Sequence, residues 1–406
     1  MDLLPFDLSE LPRPVYLVGG WVRDRLLQRP LSRRHDFDWV LPINAMATAQ
    51  AIARRHRAGF VVLDPERQIA RLVFSTTTVD MATQMGDSLA ADLARRDFCM
   101  NAIALVFPEN SAVPHTFDPH NGQSDLRQQC IRMVHPDNLI DDPLRLLRAY
   151  RQAAQLNFTL DPATHAHLRN HGLKLGAIAA DRVRAELFAL LTAPLGPQWL
   201  LAAIGDGVLE AWLPTPALNG HRLRQMTGAI AQIEHYAPAL KHYFDQLLTS
   251  DRPARWILHL TALVHHATTL DPLALSRTEQ RWVMTLLRHF PQLQSALISP
   301  TIRAQYELFT IVGELTPALI TLALADGCPW TQLQPWLDIW CDPANPIAHP
   351  PTLVTGHDLK AALNLKNSPK IGALLSAIRL AQAEGLVTDT ASAIAYAQSQ
   401  YNTNDP

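Results

Sequence analysis

Asp36 and Asp38, one residue apart in HDFDWV, are the strongest chemical signal in the chain. The alternation around them predicts a strand, where residues i and i+2 project from the same face. Two like charges held that close are costly unless a cation lies between them, and paired oxygen ligands suit Mg²⁺. Just upstream, the apolar run Val15–Val18 feeds a Gly19-Gly20 turn, and a helical segment follows from Trp21 to Leu27. A glycine turn leaves backbone N–H groups available to phosphate, and Arg23 can reach a triphosphate oxygen. An isolated D-x-D is common at solvated strand ends, and Asp24 reads equally well as a first-turn helix residue favoured by the dipole. The glycine turn and Arg23 raise the pair above that background. The segment points to a nucleoside triphosphate held against metal ions.

Three further groups add to it. Asp80, in the strand-like TTTVDMA, is either a third carboxylate that serves as general base or helps hold the metals, or a plain edge-strand acid. In LARRDFCMNAIAL, Arg96 can meet ribose, base or phosphate, Asp97 can hold an arginine in place, and Asn101 reads as a turn, a ribose contact or a structural amide. In DDPLRLLRAYRQAAQ, Asp142 before Pro143 marks a helix start. Arg145, Arg148 and Arg151 then recur every third residue, on neighbouring faces. One reading is a capped helix with an exposed basic stripe. The other has Asp142 accepting from the exocyclic amine of C or A while Arg145 donates to the ring nitrogen or carbonyl. Arg148 and Arg151 then meet the triphosphate.

These groups need a scaffold of at least two domains, and the 406 residues with 48% hydrophobic content supply enough for two to four. To about residue 130 the runs VYLVG, FDWVL, GFVVLD, ARLVFSTTTVDM and NAIALVF read as strands, with AMATAQAIARRHR helical between them. After residue 138 the pattern is almost wholly helical, broken at prolines such as Pro214 and Pro253 and in PANPIAHPP. The fold expected is an α+β head with a mixed sheet, then all-α domains. No unbroken apolar run reads as long enough to span a bilayer. The acidic MDLLPFDLSELPRP is unlike a signal peptide, and four scattered cysteines indicate a reducing, cytoplasmic setting. The net charge of −2 is not that of a strongly basic nucleic-acid binder, yet arginines cluster at Arg33-Arg34, Arg54–Arg57 and Arg95-Arg96. His265-His266 lacks the companion residues of a metal-dependent phosphohydrolase.

In this order, GG-x-V-R-D, D-x-D, RRDF-x-x-N-A and DDPLR-x-x-R resemble the class II tRNA nucleotidyltransferases, which share ancestry with bacterial poly(A) polymerases. DPHNGQSDL, ADRVRAEL and the C-terminal LVTGHDLKAAL…PKIGALLSAIRLAQAEG extend the likeness. The resemblance implies a polymerase-β-like head (1–137), a helical neck that recognises the base (138–200), a helical body (201–345) and a tRNA-binding tail (346–406). It implies template-independent addition of C and A to the tRNA 3′ end, with CTP and ATP as donors and no membrane or obligate protein partner. By position, Asp36 and Asp38 match the metal carboxylates. Gly20 and Arg23 match the nucleotide turn, with Gly19 beside them. Arg96 matches a nucleotide contact, and Asp142, Arg145, Arg148 and Arg151 match the neck residues that select and hold CTP or ATP. Only Met81 to Arg96 separate Asp80 from Asp97, the short form seen in CC-adding relatives. A rigid pocket with no lever to remodel it stays fixed on one base, so C addition is the expected activity. The alternatives are CCA addition, A addition, poly(A) synthesis or an inactive RNA-binding relative.

Overall fold

The computed structural model describes residues 4–30, 35–109, 113–215, 218–364 and 369–403. The Arg33-Arg34 pair lies outside them. The chain forms two compact units, Met1–Trp212 and Leu213–Pro406, so the expected head and neck share one unit.

The first unit is built on a seven-stranded sheet. Its elements in chain order are β1 (Val15–Val18), α1 (Gly20–Leu26), β2 (His35–Leu41), α2 (Ala45–His56), β3 (Gly59–Asp64), β4 (Ile69–Val73), β5 (Thr77–Thr83), α3 (Leu89–Leu93), β6 (Ala104–Phe107) and β7 (His115–Phe117). The strand order is β3-β4-β5-β2-β1-β6-β7. Only β2 and β5 pair in parallel; the other neighbours are antiparallel. The expected single run ARLVFSTTTVDM is two strands, β4 and β5, because the polar turn between them closes a hairpin in which the Phe74 N–H donates to the Thr77 carbonyl at 2.9 Å.

Alternation decides what each face of the sheet carries. Phe37, Trp39 and Leu41 on β2 and Val79 and Met81 on β5 are buried together on one face. Asp36, Asp38 and Val40 point the other way. Around Val40 that second face is closed by Val18, Leu93, Ala102, Ala104 and Val106. The aspartates lie beyond this apolar patch, where the face opens.

The first unit continues through α4 (Gly122–Gln128), β8 (Cys130–Ile131), α5 (Pro136–Asp141), α6 (Leu144–Leu156), β9 (Thr159–Leu160), α7 (Pro162–His171), α8 (Ala180–Leu191) and α9 (Gly196–Gly205). Between α5 and α6, Asp142 is extended and Pro143 already helical, and the Asp142 carbonyl accepts from the Arg145 N–H at 2.9 Å. The predicted helix start is therefore seen, one residue ahead of the assigned helix.

The second unit is helical: α10 (Gly220–Tyr236), α11 (Leu240–Asp245), α12 (Ala254–Leu263), α13 (Arg277–Ile298), α14 (Ile302–Val312), α15 (Thr316–Ala325), α16 (Trp330–Cys341), α17 (Gly356–Leu363), α18 (Pro369–Ala383) and α19 (Thr390–Thr403). The last three close a core of their own around Leu359, Leu374, Ile378 and Ala397. One sequence reading needs correction. By length and composition the stretch Ile302–Ala325 is apolar enough to cross a membrane. In the fold it is broken at Gly313, whose φ is +57°, and is mostly buried within the unit, as core helices are.

Candidate active site

The register of β2 and β5 sets the carboxylates. Asp38 lies directly opposite Asp80 on the parallel neighbour, and Asp36 opposite Thr78, whose hydroxyl donates to it. Asp38 is mostly buried, and burial raises its carboxyl pKa; Arg96 opposes this, while Asp80 and Asp36 add to it. A cation placed between these carboxylates would offset their mutual repulsion. Among the described residues no group of three His, Cys, Asp or Glu side chains is arranged to hold a metal. Two carboxylates completed by substrate phosphates are, however, the usual set for Mg²⁺, and Asp36 and Asp38 fit it.

Asp80 is not on an edge strand, since β5 lies between β4 and β2. Both its oxygens accept from Arg71, directly across on β4, at 2.7 and 2.8 Å. Arg71 thus engages both oxygens of the residue read as a general base, a metal helper or an edge-strand acid.

The glycine turn closes against the same carboxylates. Gly19 has φ +77°, and a Cβ there would stand 2.7 Å from Asp38 Oδ2. Only glycine fits both the dihedral and the space. Arg23, three residues into α1, is held by Asp24 (Nε to Oδ1, 2.9 Å) and by Asn101 (Nη1 to Oδ1, 3.0 Å). Asp36, Asp38, Gly20 and Arg23 line a cavity of about 560 Å³ together with Arg25 and Arg29.

A second cavity, of about 510 Å³, is lined by Arg95, Arg96, Asp142 and Arg145, and by Arg67, Met85 and Arg182. The Arg145 Nη1 donates to the Arg95 carbonyl at 2.7 Å and the Asn138 carbonyl at 3.1 Å, which fixes its fork. Asp142 pairs with Arg182 at 3.2 Å. Arg96 belongs to this cavity and also reaches the Gly19–Asp38 corner. Its Nη2 lies 3.6 Å from Asp92. Arg182 and Arg67 were not anticipated. Arg182 lies in ADRVRAEL, forty residues beyond its partner, and only its place in a known motif could have singled it out.

Asp97, Asn101, Arg148 and Arg151 form a network instead of lining either cavity. Asp97 is 6% exposed. It accepts from Arg148 Nε and Nη2 at 3.0 and 2.9 Å, and from Asn101 at 3.0 Å. Burial pushes its carboxyl up, but the Arg148 guanidinium, Asn101 and the Phe98 N–H outweigh that and hold it well below the usual carboxylate range. Arg151 donates to Glu186 at 2.6 Å and to Gln155 at 2.7 Å. The stripe expected to be exposed is half-buried, and Arg148 and Arg151, expected to meet the triphosphate, pair here with Asp97 and Glu186.

The connection from β5 to Arg95 is braced along its length. Asp92, buried, accepts from the Met85 N–H at 2.9 Å and lies 3.6 Å from Arg96; Ser88 caps α3, accepting from the Ala91 N–H at 3.2 Å.

Paired carboxylates beside a glycine turn, next to an arginine-lined cavity of nucleotide size, define a nucleotidyltransferase. The chain matches the poly A polymerase head domain family over residues 15–132 and the tRNA nucleotidyltransferase domain 2 family over residues 249–397. It is 44% identical to the CC-adding tRNA nucleotidyltransferase of Synechocystis, over 97% of this chain and 95% of that protein. It is 31% identical to the A-adding tRNA nucleotidyltransferase of Deinococcus radiodurans, over 96% of each. The chain belongs to the tRNA nucleotidyltransferase and poly(A) polymerase family. Its fold is that of the Thermotoga maritima CCA-adding enzyme complexed with tRNA (TM-score 0.71, 21% identity, 96% of this chain and 91% of that one).

Gly19→Ala is expected to lower kcat by at least tenfold while the sheet stays folded, measured as nucleotide incorporation beside far-UV circular dichroism. Asp97→Asn should destabilise the first unit by about 1–3 kcal/mol at neutral pH, since Arg148 loses its main counter-charge. Because the Asp97 pKa is depressed on folding, its stabilisation is present above the unfolded value of about 3.9 and is lost as pH falls below that. Acid unfolding followed below about pH 4 should therefore be steeper in the wild type than in the Asn variant.

Proposed function

We propose that this enzyme adds C to the 3′ end of tRNA, with CTP as donor, and stops at CC. The observation that carries the reading is the braced connection from Thr83 to Arg95, which ties the wall of the base cavity to Asp92. The 44% identity to a CC-adding relative supports it.

In the proposed reaction the RNA 3′-oxygen attacks the α-phosphorus of CTP, a P–O bond forms, and the bond to the β-phosphate breaks to release pyrophosphate. Asp36 and Asp38 would hold Mg²⁺, which when bound lowers the pKa of the 3′-hydroxyl and stabilises charge on the leaving group. Gly19 lets the backbone approach the phosphates, and Arg23 and Arg96 present donors to them. Asp80, gripped by Arg71, fixes the strand beside Asp38. Asp142 accepts from the cytosine amine and Arg145 donates to its ring nitrogen and carbonyl. Arg182 aims the Asp142 carboxylate, and the network of Asp97, Asn101, Arg148 and Arg151 holds the α6 helix at the height these contacts need.

Asp36→Ala and Asp38→Ala should each abolish incorporation and leave the Kd for tRNA within a factor of about two; turnover in both variants would exclude this metal site. Substrate choice is read by giving tRNA lacking its 3′ end CTP, ATP or both, and sequencing the product. A product that ends at CC with both nucleotides present is expected. A complete CCA end, or addition of A alone as the Deinococcus relative's name describes, would refute C specificity.

A further inference from the structure

We infer that one face of α13 is a docking surface for the phosphates of a double-helical stem of the RNA substrate, an inference that rests on the proposed function. Arg277, Arg281 and Arg288 are exposed on this helix and, with Gln280, Met284 and Thr285, line a shallow groove of about 370 Å³. At about 100° per residue the three arginines fall within about 40° of one line, spread over about 16 Å of helix. The opposite face is fixed by buried Trp282, Val283, Leu286, Phe290 and Leu293.

Charge makes this face unlike its surroundings. No carboxylate pairs with any of the three arginines among the described residues, and no acid lines the groove. Two other arginines of the same unit are engaged by acids: Arg252 by Glu279 at 2.7 Å, and Arg255 by Glu234 at 2.9 Å and by Asp245. Glu279, on α13 itself, is buried and spent on Arg252 and on the cap at Ser276. The chain's net charge is −2, so three unopposed positive charges on one line do not follow from a general basic excess. Such a row repels itself, and a row of phosphates is the partner that removes the repulsion. An A-form stem offers phosphates on both sides of a wide minor groove, with 2′-hydroxyls between them within reach of Thr285 and Gln280. RNA is favoured over an acidic protein because the three cations are guanidinium forks suited to phosphate.

The test compares the full-length wild type with R277E/R281E/R288E and with R277K/R281K/R288K. The probe is a tRNA transcript lacking its 3′ end, with CTP as donor. The glutamate variant should raise the Kd and KM for tRNA by about tenfold or more. It should also lower the slope of log Kd against log salt by about one per contact removed, with kcat and the KM for CTP unchanged. The lysine variant should retain most of the affinity. Unchanged tRNA affinity and salt slope in the glutamate variant would overturn the proposal and leave the face to a protein partner. A lysine variant that loses as much as the glutamate one would overturn it too, since charge would then not be what matters. A wild type that binds tRNA but does not incorporate C would count against the proposed function alone.

Discussion

The pair of buried Asp97 and half-buried Arg148 holds the first unit's two halves in register. Asp97 comes from the segment that leads into β6, and Arg148 from the middle of α6. Asn101 joins both to Arg23 in α1, so one chain of hydrogen bonds runs from the glycine turn to the neck. A carboxylate this deep is tolerable only when its lone pairs are filled, and Arg148, Asn101 and the Phe98 N–H fill them. The position of Arg145 in its cavity, and of Arg23 beside the carboxylates, both follow from it.

The charge around the site is divided by task. The cavity beside Asp36 and Asp38 sets arginines against carboxylates, as a place for a cation and phosphates must. The other cavity has arginines among its lining, with Asp142 among them as an acceptor. Arg96 belongs to both regions through its contact with the Gly19–Asp38 corner. A nucleotide that spans them would meet one arginine at the join.

The geometry of the paired carboxylates was legible because it is local. Alternation in HDFDWV placed both aspartates on one face, and the φ of Gly19 is what a Gly-Gly turn at a strand end suggests. The helix start at Asp142–Pro143 was legible for the same reason. What pairs across distance was not. Nothing in TTTVDMA shows that Arg71 stands opposite Asp80, because register depends on a hairpin hidden inside one apolar run. The arginines of α6 could be counted, but their pairing with Asp97 and Glu186 could not be read, because those acids arrive from other elements. Arg182 was unreadable in the same way.

The hairpin of β3 and β4 carries a consequence for how such an enzyme can change. Arg67, at its turn, lines the cavity that also holds Asp142 and Arg145, and Arg71, four residues on in β4, grips Asp80 beside Asp38. A single edge hairpin thus reaches one cavity directly and the carboxylate pair of the other through Asp80. Under the proposed function, drift in this hairpin would reach fidelity and speed together, and lineages that retune one would have to retain or rebuild the other.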